Sequence, residues 1–325
     1  MIDISRLSSP ISISAMAGDI SCAMAGDDRA ITITTSHMPS VDSGHHAATL
    51  HPRPNNGCPM RLLASLVAFL FFVPAATAHE FWIEPETYTV DPGDPIIAEL
   101  RVGQDFKGAA QTYFPDRFAR FDVKMGETTR AVEGRIGDRP AMTFVPEGEG
   151  LAVVIHETKG HTLRYSSRDL FENFVEHKDL GDVLERHAAR GLPELEFREA
   201  YTRYAKSLVA VGDGVGTDTA VGLHTEIVAL TNPYTDDLSD GVGVRVLLDG
   251  KPRADAQVEV FARDGDGNVT QSFYRTDAAG EAVIPVGPAT EYMVDAVVME
   301  DTGNDDPEAG PVWHSAWANL TFRTP

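Results

Sequence analysis

Residues 243–286 read "GVRVLLDGKPRADAQVEVFARDGDGNVTQSFYRTDAAGEAVIPV". Apolar residues alternate through Val258 and Val260, the period of a strand with one buried face. Asp249-Gly250 is a dipeptide that accepts positive φ at both central positions of a two-residue hairpin turn. Further turn clusters lie at Asp264–Asn268 and Asp277–Gly280. The stretch is therefore a hairpin series. With "EYMVDAVVME" and "VWHSAWANLTF" as the last strands, it predicts a small antiparallel sandwich of immunoglobulin or prealbumin type over 220–325.

Upstream, the same logic gives a first β domain over 79–165. "YTVDPGDPIIAELRVGQ" alternates across Ile96, Ala98, Leu100 and Val102, and "RFDVKMG", "AMTFVPEGEG" and "LAVVIHE" follow between Gly, Pro and Asp clusters. From Ser166 to Val211 the period changes. Leu170, Phe171, Phe174 and Val175 share a helical face, with Ser167 placed to cap the start and Gly191 to end it. Leu195, Tyr201, Tyr204 and Leu208 continue at helical spacing, so 166–211 is expected as a helical segment. The expected fold class is mainly β, with two β-sandwich domains and a helical segment between them.

The N-terminal part has a different character. Met60 and Arg61 precede twelve almost wholly apolar residues, Leu62–Val73, and "PAATA" ends at Ala78 with small residues at the two positions that export cleavage requires. The run is shorter than the roughly 20 residues that span a bilayer. A signal peptide over 60–78, cleaved between Ala78 and His79, is expected, which places the protein in the periplasm or outside the cell. Residues 1–59 show no sustained period and end in a Pro/Asn/Gly/His-rich tract. The expectation is that translation starts at Met60, with a disordered cytoplasmic tail as the alternative.

Both cysteines, Cys22 and Cys58, precede His79, so the chain from His79 onward has no thiol. It has neither a disulfide-linked partner nor a thiolate metal site. The same part carries 44 acidic and 23 basic residues. That balance argues against nucleic acid and anionic membranes as partners and suits a protein that handles cations. No Gly-x-Ser-x-Gly elbow, His-Glu-x-x-His helix or phosphate-binding Gly-x-x-x-x-Gly-Lys loop is present, and no enzymatic activity is expected. "DGDGNVTQSFYR" begins like a calcium loop, but Val269 and Arg275 stand where glycine and glutamate are needed, so it is a hairpin turn.

Histidines carry the candidate chemistry. As a first residue, His79 offers an α-amine and an imidazole nitrogen that chelate one ion together. His156 and His161 flank four residues and are expected to face each other across a hairpin. His224 and Glu226 stand at i and i+2, on one face of a strand, although Glu226 also suits an ion pair with Arg203 or Lys206. His314, near the chain end, meets His79 if the two terminal strands are neighbours. His177 and His187, ten apart, have no ligand spacing and are read as solvated.

Taken together, "AHEFWIEP", "RYAKSL", "LHTEIVALTNPY", "VLLDGKPRADAQVEVF", "RTDAAGEAVIPV" and "WHSAWANLTF" resemble the DUF4198 family, across essentially all of the chain from His79. That family is grouped with periplasmic components of cobalt and nickel uptake systems. The resemblance implies a divalent transition metal (nickel or cobalt) as ligand and a membrane uptake transporter as partner, and the nitrogen donors of His79 make copper the third candidate. Where the family's C-terminal block more often reads Trp-Glu-Ser, this chain has Trp313-His314-Ser315, so a metal role for His314 is particular to it. Two other readings stand beside this one: a sandwich module for binding or adhesion without metal, and a copper oxidase built on a histidine brace at His79.

Overall fold

The computed structural model describes residues 79–325. The expected leader over 1–59 and the expected signal peptide over 60–78 lie outside the described residues. Among those described, no helix is long and apolar enough to cross a membrane.

The protein is mainly β. Strands β1 (Glu80–Pro85), β2 (Thr89–Val90), β3 (Ile96–Gln104), β4 (Lys107–Gln111), β5 (Phe118–Met125), β6 (Thr128–Ala131), β7 (Met142–Phe144), β8 (Gly150–Thr158) and β9 (His161–Arg164) come first. Helices α1 (Arg168–His177) and α2 (Val183–Ala189) precede the long β10 (Arg198–Val211). Then come β11 (Thr225–Ala229), β12 (Val242–Leu248), β13 (Lys251–Pro252), β14 (Gln257–Arg263), β15 (Val269–Arg275), β16 (Glu281–Ile284), β17 (Glu291–Asp301) and β18 (Trp313–Arg323).

A ten-stranded sheet runs β15-β14-β17-β18-β10-β8-β5-β6, with β2 and β9 also paired to β10. It takes strands from both regions that sequence reasoning separates, so they share one sheet rather than closing as independent sandwiches. The join is β10 with β18, parallel over Glu199–Ser207 and Trp313–Thr321.

Alternation along β10 shows what covers this sheet. Ala205, Val209 and Val211 point into a core with Phe81 and Ile83 of β1 and Ile96 and Leu100 of β3. Tyr204 and Leu208 point the opposite way, into a core with Ile227 of β11 and Val244 and Val246 of β12. The sheet of β1, β3, β4 and β7 therefore lies on one face, and that of β11, β12, β13 and β16 on the other. The two helices pack on the first face, where Phe171, Val175 and Val183 meet Val297, Met299, Trp313 and Trp317.

This burial on both sides explains the main misreading. The expected helical segment does hold α1 and α2, broken after His177 where Asp179 and Gly181 take positive φ. Residues 198–211, however, form a strand buried continuously from Thr202 to Val211. A strand apolar on both faces loses its period of two, and Tyr201, Tyr204 and Leu208 then imitate helical spacing.

Three turns fall where the sequence places them. Asp249 and Gly250 both have positive φ, joining β12 to β13 through the Leu248–Lys251 pair. The Asp264–Asn268 loop joins β14 to β15, with the Asp264 carboxylate accepting from the Asp266 and Asn268 amides. At Asp277–Gly280 the Asp277 carboxylate accepts from the amides of Ala279 and Glu281.

Candidate metal centre

Antiparallel pairing of β17 with β18 sets Glu300 directly opposite His314. Both side chains lie on the face covered by the β11–β12 sheet, the side to which Thr202 and Tyr204 point. His224, immediately before β11, reaches down onto the pair from that sheet. Its Nε2 lies 2.6 Å from Glu300 Oε2, and His314 Nδ1 lies 3.5 Å from the same oxygen. The two imidazole rings are 6.2 Å apart, and one nitrogen or oxygen from each of the three residues falls within 4.8 Å of the others.

The remaining ring nitrogens are also engaged. His224 Nδ1 is 2.8 Å from Asp249 Oδ1, in the β12–β13 turn, and His314 Nε2 is 3.1 Å from Thr202 Oγ1 on β10. Each imidazole thus has one nitrogen toward Glu300 and the other held by an oxygen. That is the arrangement by which an outer carboxylate or hydroxyl orients a metal-binding histidine. The group is partly open to solvent, with His224, Glu300 and His314 side chains 29, 31 and 26 % exposed.

Electrostatics favour a cation here. Burial works against a charged His224, but the hydrogen bonds and charges of Glu300 and Asp249 outweigh it and hold its pKa above the usual value. Burial, then the charges of Glu157, Glu300 and Asp249, push Tyr204 up to about 12.

Other predicted residues are placed elsewhere. Glu226 is buried, ion-pairs with Lys206 at 3.0 Å, and accepts from the amides of Val221, Gly222 and Leu223. Its carboxylate clasps a loop, and Lys206 is held from its other side by Asp218 at 2.8 Å. His156 and His161 do not face each other across a hairpin. The strands that carry them, β8 and β9, run successively along β10, antiparallel to it. His156 is fully buried against Phe81, Phe118 and Phe121. His161 stacks on Tyr201.

His79 does not meet His314. Its carbonyl accepts from Arg203 Nη2, on the opposite face of the central sheet from His314. Nor is His187 solvated: it is buried against Phe197, with Nδ1 accepting from the Trp313 indole N–H at 3.0 Å. His177, half exposed, lies 3.0 Å from Glu259.

Glu300 and Asp249 escape sequence reasoning, although a signal for each exists. Antiparallel counting about the 302–312 loop brings Glu300 opposite His314, and antiparallel pairing of β11 with β12, Thr225 opposite Leu248, places Asp249 beside residue 224. A second carboxylate group, Glu80, Glu259 and Asp295, is buried around Lys178. The Lys178 ammonium lies 2.9 Å from Glu80 and 3.1 Å from Asp295, and also contacts Glu259. That group already has its cation.

The fold and site define a mainly β protein with a two-histidine, one-carboxylate group on one face of its central sheet, at the end of β17 and the start of β18. The family model described as "Domain of unknown function (DUF4198)" matches residues 76–300, and the chain belongs to that family. The matched residues include His79, His224 and Glu300, and His314 follows them. No curated protein matches the chain. Among solved structures it is similar to the D0-D1 domain of Intimin, with 14% identity, 74% of this chain and 97% of that one covered, and a TM-score of 0.20. It is also similar to a tetra-tandem repeat in the extending region of a large adhesion protein, with 12% identity, 76% and 50% covered, and a TM-score of 0.17.

Proposed function

We propose that the protein is exported, binds a divalent transition-metal ion through His224, Glu300 and His314, and delivers it to a membrane uptake system for nickel or cobalt. The observation carrying this reading is that two imidazoles and a carboxylate converge while Asp249 and Thr202 hold the outward ring nitrogens. Two neutral imidazoles with one carboxylate suit nickel, cobalt and copper better than calcium or magnesium. Export and delivery rest on the signal-peptide pattern before His79 and on the resemblance to uptake components. The role is carriage rather than catalysis: partial exposure lets an ion enter and leave.

Calorimetric titration of Cu(II), Ni(II) and Co(II) into the chain beginning at His79 tests the site. Copper should bind most tightly, then nickel, then cobalt. A His224→Ala/His314→Ala double variant should lose at least about 100-fold in affinity. Adding an alanine before His79 should change nothing. The opposite pattern would move the site to the His79 amine and imidazole.

A further inference from the structure

A cavity of about 200 Å³ lies between the β1–β3 sheet and the central sheet, on the face opposite the metal group. In a chain with formal net charge -22, no aspartate or glutamate among the described residues lines it. Its polar lining instead includes Arg117, Arg203, His156 and His161. The floor is apolar, from Phe81, Leu100, Val102 and Phe118.

Arg203 is the decisive residue. It is buried, its guanidinium stands over the Tyr201 ring, and its Nη2 donates to the His79 carbonyl. Nε has no hydrogen-bond partner among the described residues. Neither Arg203 nor Arg117 has a carboxylate within 4.0 Å among them, and Glu80 and Asp295 act on Arg203 only from beyond that distance. A buried guanidinium without a counter-ion is costly, and an anion in the cavity would remove that cost.

His156 supplies the second observation. It is fully buried at the cavity wall, and both ring nitrogens lack partners among the described residues. Burial holds its pKa at about 3, so it is a neutral imidazole whose N–H is available to an acceptor. Burial, then Arg203 and Arg117, depress His161 in the same way, as a positive cavity should.

We infer that this cavity binds a small organic carboxylate with an apolar body no larger than a single ring. The carboxylate faces Arg203, Arg117 and the imidazoles, and the body lies on the phenylalanine floor. The apolar floor disfavours inorganic phosphate, which would leave it uncovered. The volume is below the range of drug-sized pockets and suits one ring with one substituent. This inference is independent of the metal group.

The probe is sodium benzoate, titrated calorimetrically into the metal-free chain from His79, beside the neutral near-isostere benzamide and beside inorganic phosphate. The expected result is saturable one-to-one binding of benzoate, with benzamide and phosphate at least about tenfold weaker. Arg117→Ala, at the exposed rim, should weaken benzoate severalfold. Arg203→Met should abolish binding, with its circular dichroism melt confirming the fold. Arg203→Lys, which keeps the charge, should retain part of the affinity. Absence of saturable binding up to about 10 mM benzoate, equal binding of benzamide, preference for phosphate, or unchanged affinity in Arg117→Ala and Arg203→Lys would each overturn the proposal.

Discussion

Lowering the pH from 7.5 to 4.5 should destabilise the ligand-free protein through His156, and His156→Phe should remove that contribution. The imidazole is fully buried among Phe81, Phe118 and Phe121, and burial takes its pKa from 6.5 to about 3. The depressed value fixes the sign. Above pH 6.5 the ring is neutral in folded and unfolded chains alike, and its full contribution is present. As the pH falls from 6.5 toward 3, the unfolded chain takes up a proton that the folded chain refuses, and stability is lost. At pH 4.5 the unfolded imidazole is two units below its pKa while the folded one is still neutral, so the loss is about 2.7 kcal/mol. Phenylalanine fits a site already walled by phenylalanine rings and has no nitrogens to leave unpartnered. Urea denaturation of both proteins at both pH values isolates the term, because other titrating groups cancel in the difference. A loss on acidification equal in the two proteins would refute the assignment of a buried neutral imidazole.

Glu199 has the opposite sign. Burial raises its carboxyl to about 7, despite hydrogen bonds from Ser315 and Tyr165, so its contribution is lost as the pH rises from about 4.5 to 7, and Glu199→Gln should flatten the decline between pH 5 and 8 by roughly 2–3 kcal/mol in the same urea assay. Lys206→Met should cost about 3–5 kcal/mol, because it strands the buried carboxylates of Asp218 and Glu226; a shift in urea midpoint measures it. Nickel affinity should fall on acidification by about tenfold per pH unit for each displaced proton, because an ion would compete with protons for the imidazole nitrogens and Glu300 and Asp249 raise the pKa of His224, and calorimetry across pH 5.5–7.5 measures the slope. Asp249→Ala should weaken nickel about 10- to 100-fold, since the outward nitrogen of His224 loses its orienting partner.

What could be read from sequence follows from how each element is buried. The hairpins around Asp249, Asp264 and Asp277 are legible because their turn chemistry is local. Strand β10 is not, because Arg203 and Lys206 are buried charged residues in a strand covered on both faces, and their partners, the His79 carbonyl for one and Asp218 and Glu226 for the other, come from other parts of the chain. The same limit applies to the metal group. His224 and His314 are visible as residue types, but only the parallel β10–β18 pair and the β17–β18 register decide that they meet each other at Glu300, and that His79 lies across the sheet. His156 and His161 mislead because the residues between them, which suggest a hairpin, merely interrupt one continuous passage along β10.

Asp249 belongs to two constraints at once, since the turn with positive φ and the orientation of His224 both use it. The backbone accepts asparagine or glycine there almost as readily as aspartate. A single codon change to asparagine would keep the hairpin and remove the carboxylate charge. On the proposed reading, grip on an ion can therefore drift between related chains without a folding penalty, and a homologue with Asn at this turn would share the architecture while holding a metal at the proposed site less firmly.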